Sequence, residues 1–272
     1  MNPTAPPKVT VIVVTHKHRA FIERCMDSVE RARSEISLEA FVVDNRSGDG
    51  TPEFVSSRYP WARVEVRDRR RGFSDNNNFA ITRSSTPYVL ILNPDTEIRP
   101  GALAALHAFM TRTPSAGIVG AKLLFPDGSV QPSCRRFPTL SSVLVRRTPL
   151  RWFMRESGAN ARHLMLDHTS SVPVEVDWLL GACLFVRRTA INDVGLMDEG
   201  YFLYVEDIDW CYRMHQAGWK VFWAPEAEVV HHHLAVSDRR LFSWYSWIHL
   251  KSMARYYRKH MAPGILRSVM GE

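Results

Sequence analysis

Cysteine is scarce in this chain of 272 residues, which contains only 4 of them. They lie far apart and no CxxC pair occurs, so their spacing argues against a cysteine zinc site. A disulfide is chemically open to them, but a reducing compartment disfavours it. We therefore expect four free thiols in ordinary packing positions: Cys25, Cys134, Cys183 and Cys211.

Long apolar runs are also missing. The longest, VTVIVVT and WLLGACLFV, have the length of a strand, whereas a membrane-spanning helix needs about 20 apolar residues. The first residues, MNPTAPPKV, contain no apolar core of the kind that a signal peptide has. These absences predict a protein that stays in the cytoplasm.

The body of the chain has little excess charge of either sign. The formal net charge is +7, but residues 239–272 contain seven Lys or Arg and one acidic residue, and so carry +6 of it. The main groove of a nucleic-acid enzyme would be basic, and the nearly neutral body argues against that class. With 45% hydrophobic and 23% charged residues, the composition is that of a folded soluble protein.

Strand and helix patterns alternate in the first half. KVTVIVVT, EAFVVDN, ARVEVRD and YVLILN are typical of strands, and the segments between them have helical spacing. Repeated β-α-β units predict an α/β fold with a mainly parallel central sheet and helices on both faces. The last segment has an amphipathic helical pattern. We therefore divide the chain into a main domain, residues 1–237, and a basic, aromatic, helical tail, residues 238–272.

Polar residues follow three of the predicted strands. Thr15 ends the first strand, Asp44 ends the second, and Asn93 to Asp95 follow the fourth. Ligands of open α/β sheets bind beyond the carboxyl ends of the strands, so these residues suggest a site. Asp95 could bind a divalent cation that bridges a diphosphate, and Asp44 could accept hydrogen bonds from a nucleotide base. Each of these residues is also typical of a turn, which is the alternative.

Two helix starts contain further candidates. Gly72 precedes a helix start that includes Asn77 and Asn78, and a helix N-terminus attracts phosphate. The segment YVEDIDW places Glu206 and Asp207 at the opening of another helix. The helix dipole favours the ionised carboxylate there, which is the form that a general base needs. Plain stabilisation of the helix start is the alternative.

A histidine run and the tail each allow two interpretations. VVHHH ends a strand with His231, His232 and His233. Adjacent residues cannot easily surround one ion, so one histidine that supplements Asp95 is favoured over a three-histidine zinc site. The tail mixes basic residues with Trp and Tyr, which suits an anionic membrane surface. The alternative is a helix that packs its aromatic face on the main domain.

Seven segments, taken in their order along the chain, resemble the family 2 glycosyltransferases of the GT-A fold. They are VVTH, VVDNRSGDGT, GFSDNNN, LILNPDTEI, WLLGACLFVRR, FLYVEDIDWCYR and VVHHH. The resemblance covers about residues 9–259 and points to bacterial rhamnosyltransferases of O-antigen or cell-wall linker synthesis. It implies a Rossmann-like sheet, with a nucleotide-sugar-binding half at about residues 9–100 and an acceptor half at about residues 101–237.

The resemblance also implies a role for individual residues. Asp207 matches the general base of the family's ED motif. Asp95 matches the metal-binding aspartate of the DxD motif, whose first position is Asn93 here, and His231 matches the late metal-binding histidine, or His232 in a shifted register. The implied nucleotide-sugar contacts are Thr15, Asp44, Gly72, Asn77, Asn78, Asn93 and Asp95. The implied acceptor-side residues are Trp178, Gly181, Glu206 and Arg136, with Arg135 as an alternative phosphate contact.

The reaction implied by the resemblance is an inverting, Mg²⁺- or Mn²⁺-dependent transfer of a sugar from a sugar nucleotide to a hydroxyl. The expected donor is dTDP-rhamnose, with UDP-hexoses next, and the expected acceptor is a lipid-linked glycan at the cytoplasmic face of the membrane. Nucleic acid is not an expected partner. The rival hypotheses are a nucleotide-binding module without catalysis, a zinc-binding interaction protein, and DNA binding through the tail.

Overall fold

The computed structural model describes residues 8–137, 170–232 and 244–261. Most of the irregular segment between Gln131 and Val172, together with His233 and the two ends of the tail, lies outside the described residues. Within them, no helix is both long enough and apolar enough to cross a membrane.

The first half of the chain alternates strands with helices, as its sequence pattern predicts. The elements are β1 (Val9–Thr15), α1 (Arg19–Ala32), β2 (Leu38–Asp44), α2 (Thr51–Arg58), β3 (Arg63–Val66), α3 (Phe73–Ile81), β4 (Tyr88–Leu92), β5 (Thr96–Ile98) and α4 (Ala102–Arg112). The connections are short: β1 ends at Thr15 and α1 begins at Arg19, and α1 ends at Ala32 and β2 begins at Leu38.

The second half has longer strands mixed with very short ones. Its elements are β6 (Ala116–Leu124), β7 (Val130–Gln131), β8 (Cys134–Arg135), β9 (Val174–Glu175), β10 (Trp178–Leu179), β11 (Cys183–Arg187), α5 (Arg188–Val194), α6 (Glu206–Gln216), β12 (Lys220–His231) and α7 (Trp244–His260).

One ten-stranded sheet runs through both halves of the described chain, with its main strands in the order β3-β2-β1-β4-β11-β6-β12-β5. The four strands β3, β2, β1 and β4 are parallel to one another. β11 lies antiparallel between β4 and β6, and β6 is parallel to β12. β8 and β10 form a separate two-stranded sheet.

The continuous apolar run of β1 reflects a sheet that is covered on both faces. Val9, Val11 and Val13 pack with α1, α2 and α4 in one core. Ile12 points the other way and packs with α3, α5, α6 and α7 in a second core. All four cysteines are buried and free. The predicted α/β fold with a mostly parallel central sheet and a C-terminal helix is therefore confirmed.

Two details of the fold differ from the sequence pattern. The stretch VEVDWLLGACLFVRR, which looks like one strand, is divided into β9, β10 and β11. WKVFWAP and AEVVHHH, which look like two strands, form the single strand β12, with an irregular register between Ala224 and Glu228. An apolar pattern predicts which residues are buried. It does not predict where one strand ends and the next begins to pair with a different neighbour.

The C-terminal helix α7 packs against the main domain and neutralises an acidic pair there. Asp209 of α6 is fully buried and accepts hydrogen bonds from Lys259 (2.8 Å) and His260 (2.7 Å) of α7. Arg255 and Lys259 also pair with Asp198 at 2.8 Å. Arg255, Lys259 and His260 of the tail are therefore engaged in contacts within the chain.

We expect the substitution Asp209→Asn to lower the free energy of unfolding by about 2 kcal/mol, because it replaces a buried carboxylate that accepts hydrogen bonds from Arg213, Lys259 and His260 with a neutral amide. Burial alone would raise the pKa of Asp209, but hydrogen bonds from His260 and Lys259, with the charge of Arg213, hold it far below its usual range. The stabilisation is therefore present above the carboxyl's ordinary pKa and is lost in strong acid. Thermal unfolding at neutral and acidic pH measures it. The surface variant Asp193→Asn is the control, and equal melting of both variants at neutral pH would contradict the prediction.

Candidate active site

The carboxyl ends of β1 and β2 place two acceptors side by side. Thr15 and Asp44 are directly paired in the parallel register, and both are buried. Asp44 Oδ1 accepts a hydrogen bond from the Ser47 backbone N–H at 2.9 Å. Asp44 Oδ2 and Thr15 Oγ1 have no hydrogen-bond partner among the described residues. Buried polar atoms are nearly always paired, so these two oxygens are suited to a ligand that donates N–H or O–H groups.

The start of α3 contributes more such oxygens. Asn77 donates its side-chain N–H to Phe73 O at 2.9 Å, while its Oδ1 is buried with no partner in the described part of the chain. Asn76 shows the same arrangement. The Ser74 hydroxyl is also buried and unpaired there. Asn76 and Ser74 were not among the residues predicted from the sequence, although they belong to the same SDNNN helix start.

Gly72 and Asn78 have structural reasons to be where they are. A Cβ on Gly72 would lie 2.9 Å from both Cα and O of Phe202, so this position needs glycine for chain packing. The nucleotide-sugar contact that the resemblance implies for Gly72 stays a prediction. The Asn78 amide is engaged at both ends, by Met197 N and O and by Glu199. Asn78 therefore ties α3 to the segment before α6.

Asp95 and His231 face each other at the end of β4. Asp95 Oδ1 lies 3.5 Å from His231 Nε2, and His231 Nδ1 lies 2.8 Å from Gln131 Oε1. Burial works to raise the pKa of Asp95, but the neighbouring His231 ring, with a contribution from His18, lowers it overall. Asp95 is therefore a carboxylate at neutral pH, as a ligand of a hard cation must be.

This donor set fits a Mg²⁺ or Mn²⁺ ion. One carboxylate oxygen and one ring nitrogen converge at a separation that leaves room for a cation between them. No group of three or more His, Cys, Asp or Glu side chains with metal-binding geometry exists within residues 8–137, 170–232 and 244–261. Mg²⁺ is commonly held by one or two carboxylates together with substrate phosphates. A site with only Asp95 and His231 is thus suited to an ion that arrives with a diphosphate.

The other predicted histidines are placed differently. His232 Nε2 lies 2.6 Å from Glu97 Oε1, and its ring contacts Phe21. His231 is therefore the histidine that meets Asp95, while His233 lies outside the described residues. His18, which the sequence pattern did not single out, lies near enough to Asp95 to feel its charge. Burial lowers the pKa of His18, and the Asp95 charge opposes that shift.

Asp207 occupies the first turn of α6 with both carboxylate oxygens held. Oδ2 accepts from the Gly181 backbone N–H at 3.0 Å, and Oδ1 accepts from the Ile208 backbone N–H at 2.9 Å. The two residues before the helix, Tyr204 and Val205, have left-handed φ values of 67° and 75°. Such a conformation is strained for a β-branched residue, and strain of this kind concentrates at functional sites.

Glu206 and Asp207 are neighbouring buried carboxyl groups with different environments. Burial, followed by the negative charge of Asp207, raises the pKa of Glu206 well above its ordinary value, and Glu206 Oε2 has no partner among the described residues. Burial also raises the pKa of Asp207, but two backbone N–H groups and the charge of Arg135 oppose the shift. Asp207 is therefore the member of the pair that ionises first.

A short peptide segment connects the two acidic positions. Asn93 N donates to Ala182 O at 2.9 Å, and the next residue back, Gly181, donates to Asp207 Oδ2. Asp95 follows Asn93 by two residues, so the loop that carries Asp95 is bonded to Ala182, the residue after the one that holds Asp207. The two carboxylates are thus held at the same edge of the sheet.

The predicted acceptor-side residues are partly brought together there. Trp178 is buried, and the Arg135 guanidinium lies 5.4 Å from its ring centre. Arg135 is also the arginine whose charge acts on Asp207. The Arg136 side chain is 64% exposed and lies 4.0 Å from Asp177, while its backbone O accepts from Trp178 Nε1. The structure therefore places Arg135, the alternative phosphate contact, nearer the acidic residues than Arg136.

Comparisons with known proteins identify similar sequences. A family model described as glycosyl transferase family 2 matches residues 10–165, and one described as glycosyl transferase family group 2 matches residues 88–258. The chain is 34% identical over 233 residues to the N-acetylglucosaminyl-diphospho-decaprenol L-rhamnosyltransferase of Mycobacterium tuberculosis H37Rv, covering 82% of this chain and 75% of that one. It is 28% identical to the rhamnosyltransferase WbbL of Escherichia coli K12, covering 91% and 92%.

Two solved structures share the fold. GalNAc-T7, crystallised with UDP, GalNAc and Mn²⁺, aligns with a TM-score of 0.63 at 17% identity, over 84% of this chain and 44% of that one. The mannosyltransferase PcManGT of Pyrobaculum calidifontis, with GDP-Man and Mn²⁺, aligns with a TM-score of 0.56 at 19% identity, over 99% and 80%. At these identities the likeness concerns the fold.

Proposed function

Because the chain belongs to glycosyl transferase family 2, has the GT-A fold and is a glycosyltransferase, we propose that it transfers rhamnose from dTDP-rhamnose to a hydroxyl of a lipid-linked glycan at the cytoplasmic face of a membrane. One observation carries this proposal. Asp95, which lies beside His231, and Asp207, whose oxygens are held by backbone N–H groups, lie at the same edge of the sheet. The 34% identity to a rhamnosyltransferase that is named for a lipid-linked acceptor supports the choice of sugar and acceptor.

The donor would lie along the carboxyl ends of β1, β2 and β4. Thr15 Oγ1 and Asp44 Oδ2 are acceptors suited to base N–H and ribose O–H groups. Asn77 and the start of α3 would border the nucleotide. Asp95 and His231 would hold a Mg²⁺ or Mn²⁺ ion, which would neutralise the diphosphate and make it a better leaving group.

Asp207 would act as the general base. Its two oxygens are fixed by backbone N–H groups, so a lone pair can be kept in one direction toward an acceptor hydroxyl. As Asp207 takes the hydroxyl proton, the hydroxyl oxygen bonds to the anomeric carbon and the bond from that carbon to the diphosphate oxygen breaks. The electron pair of that bond leaves with the nucleoside diphosphate. A single displacement from the opposite face inverts the anomeric configuration.

The acceptor would approach from the side of β8 and β10. Arg135 is a cation within electrostatic reach of Asp207, and its guanidinium lies 5.4 Å from the ring centre of the buried Trp178. A lipid-linked glycan of the kind named for the mycobacterial relative has a diphosphate next to its sugar, and a guanidinium binds phosphate well. Arg135, beside Trp178, is therefore suited to the charged end of such an acceptor.

The test of donor class is a thermal-shift and turnover panel of sugar nucleotides with Mg²⁺ or Mn²⁺. We expect the largest metal-dependent stabilisation from dTDP-rhamnose, with product formed on a synthetic lipid-diphosphate GlcNAc. Stabilisation and turnover with UDP-hexoses, and none with dTDP-rhamnose, would contradict rhamnose as the transferred sugar. Binding of sugar nucleotides without turnover on any acceptor would favour a nucleotide-binding module.

The membrane-facing surface would be the outer side of α7. Trp244, Trp247 and Leu250 are exposed, and the exposed Lys251 lies beside them at helical spacing. The Arg70 guanidinium lies 5.4 Å from the Trp244 ring centre. Exposed tryptophan next to basic side chains is typical of binding at the interface of an anionic membrane. The inner side of the same helix packs on the main domain, so both interpretations of the tail are compatible.

The variant Trp247→Ser tests the membrane surface without disturbing the packed side of α7. The Trp247 side chain is 67% exposed in the protein. If it is partly buried in the lipid interface, its loss should weaken binding of the protein to vesicles about tenfold. Liposome flotation with phosphatidylglycerol vesicles measures it. Val172→Ser removes an apolar side chain of similar exposure, 62%, and is the matched control. Equal flotation of both variants would argue against the surface.

A further inference from the structure

A short hairpin carries Gln131 into the neighbourhood of Asp95 and His231. β6 is closed by a turn in which Phe125 N donates to Ser129 O at 2.8 Å and Gly128 adopts a φ of 86°. The returning strand β7 has only two residues, and Gln131 pairs with Leu123 of β6. On its other side, β6 pairs with β12, where Val229 also lies beside Leu123. The hairpin thus places Gln131 one strand away from the end of β12.

Gln131 and His231 form a buried side-chain pair. Gln131 Oε1 lies 2.8 Å from His231 Nδ1, within the range of a good hydrogen bond, and both residues are buried. With the Gln131 amide oriented so that its oxygen faces His231, that oxygen accepts and the proton of this bond lies on Nδ1. In the neutral ring, Nε2 then has a lone pair. That lone pair belongs to the nitrogen that faces Asp95.

The distance on the Asp95 side agrees with this tautomer. Asp95 Oδ1 lies 3.5 Å from His231 Nε2, which is longer than the 2.7 to about 3.2 Å of an N–H···O bond. Two neighbouring ligands of an octahedral ion, each at about 2.1 Å, are separated by about 3 Å. A small inward movement of either side chain would bring both atoms into an ion's coordination shell.

We propose that Gln131 is a positioning residue for the metal site: it fixes His231 in the tautomer that presents an Nε2 lone pair beside Asp95. This inference rests on the proposed function only in that a divalent cation binds between Asp95 and His231. Partners that orient a histidine ligand in this way typically change metal affinity by about 10- to 100-fold when they are lost. Gln131 supplies an acceptor without adding a second negative charge to a site that already has Asp95.

Three variants separate this role from general packing. Gln131→Leu keeps the size and burial of the side chain but removes the acceptor. Gln131→Glu restores an acceptor at the same position. Gln216→Leu, at the exposed end of α6, is the matched control for replacement of a glutamine by leucine. Thermal melting of each variant reports whether the hairpin is still folded.

The experiment has two readouts that do not depend on turnover. At about pH 9, two-bond ¹H–¹⁵N NMR should report an Nδ1–H tautomer for His231 in the wild-type protein. Titration with Mn²⁺ in the presence of dTDP, followed by electron paramagnetic resonance, should show about 10- to 100-fold weaker Mn²⁺ binding in Gln131→Leu. Gln131→Glu should recover most of the affinity, and Gln216→Leu should match the wild type.

The outcomes distinguish this inference from the proposed function. An Nε2–H tautomer in the wild type, or unchanged Mn²⁺ affinity in a folded Gln131→Leu variant, overturns the positioning role and leaves the metal site in place. Absence of Mn²⁺ binding to the wild type in the presence of dTDP contradicts the metal part of the proposed function itself, and the positioning role fails with it.

Discussion

The substitution Asp207→Asn is expected to lower turnover by about 10²- to 10⁴-fold, the range that a general base contributes, while donor affinity changes little. An amide has almost the same shape, and its one oxygen can keep one of the two hydrogen bonds from the Gly181 and Ile208 backbone N–H groups. It cannot take the proton of an acceptor hydroxyl. A product assay measures the first effect, and calorimetric titration with dTDP in the presence of Mn²⁺ measures the second.

The control for this variant is Glu53→Gln, which makes the same carboxylate-to-amide change at an exposed position on α2. Turnover retained in Asp207→Asn would remove Asp207 from the role of base. The wild-type pH profile gives a further check. Because burial raises the pKa of Asp207, the acidic fall in activity should lie above the ordinary carboxyl range, and it should be absent from whatever activity the variant retains.

The substitution Asp95→Ala is expected to remove the metal-dependent part of nucleotide binding. Asp95 is the carboxylate beside His231, and a neutral methyl group offers no ligand to a hard cation. The loss of Mn²⁺ affinity should exceed the roughly 10- to 100-fold that follows removal of an outer-shell partner. Calorimetric titration with dTDP, with and without Mg²⁺ or Mn²⁺, measures it.

Glu97→Gln is the matched control for Asp95→Ala. Glu97 lies two residues away and contacts His232 at 2.6 Å, so its replacement changes the local charge without touching the proposed ligands. We expect its metal-dependent affinity to stay close to that of the wild type. If the nucleotide affinity of Asp95→Ala still rises on addition of metal as it does in the wild type, the cation does not bind at Asp95.

The order of elements could be read from the sequence because the signals are local. Apolar strands that end in Thr15, Asp44 and Asn93 alternate with helical spacing, and parallel β-α-β units have few ways to pack. The antiparallel insertion of β11 between β4 and β6 could not be read, because a buried strand looks the same in either direction. The direction of β11 depends on the connection that leads into it from β6, and that connection is long in this chain.

The candidate site could be predicted where a residue ends a strand or starts a helix. Asp95, Asp207 and His231 are of this kind, and the structure brings Asp95 next to His231 and both to the edge where Asp207 lies. Gln131 and His18 could not be found this way. Gln131 meets a partner 100 positions away, and no spacing rule connects residues at that separation.

The role of Gly72 shows a second limit. A glycine before a helix start is compatible with a ligand at the helix end, but it is equally compatible with a neighbouring chain. The structure places Phe202 there, with Phe73 N bonded to Phe202 O at 2.8 Å. The local sequence is the same in both cases, and only the three-dimensional neighbour distinguishes them.

The docking of α7 on α6 has a consequence for synthesis on the ribosome. Asp209 is a buried acid whose partners Lys259 and His260 are made some 50 residues later. Until those residues emerge, Asp209 pairs with Arg213 of its own helix, at 2.8 Å, but lacks its two partners from α7. A nascent or prematurely stopped chain that lacks α7 would hold the buried Asp209 with fewer basic partners, so the helix that bears Asp207 would gain its full stability only after α7 has been made.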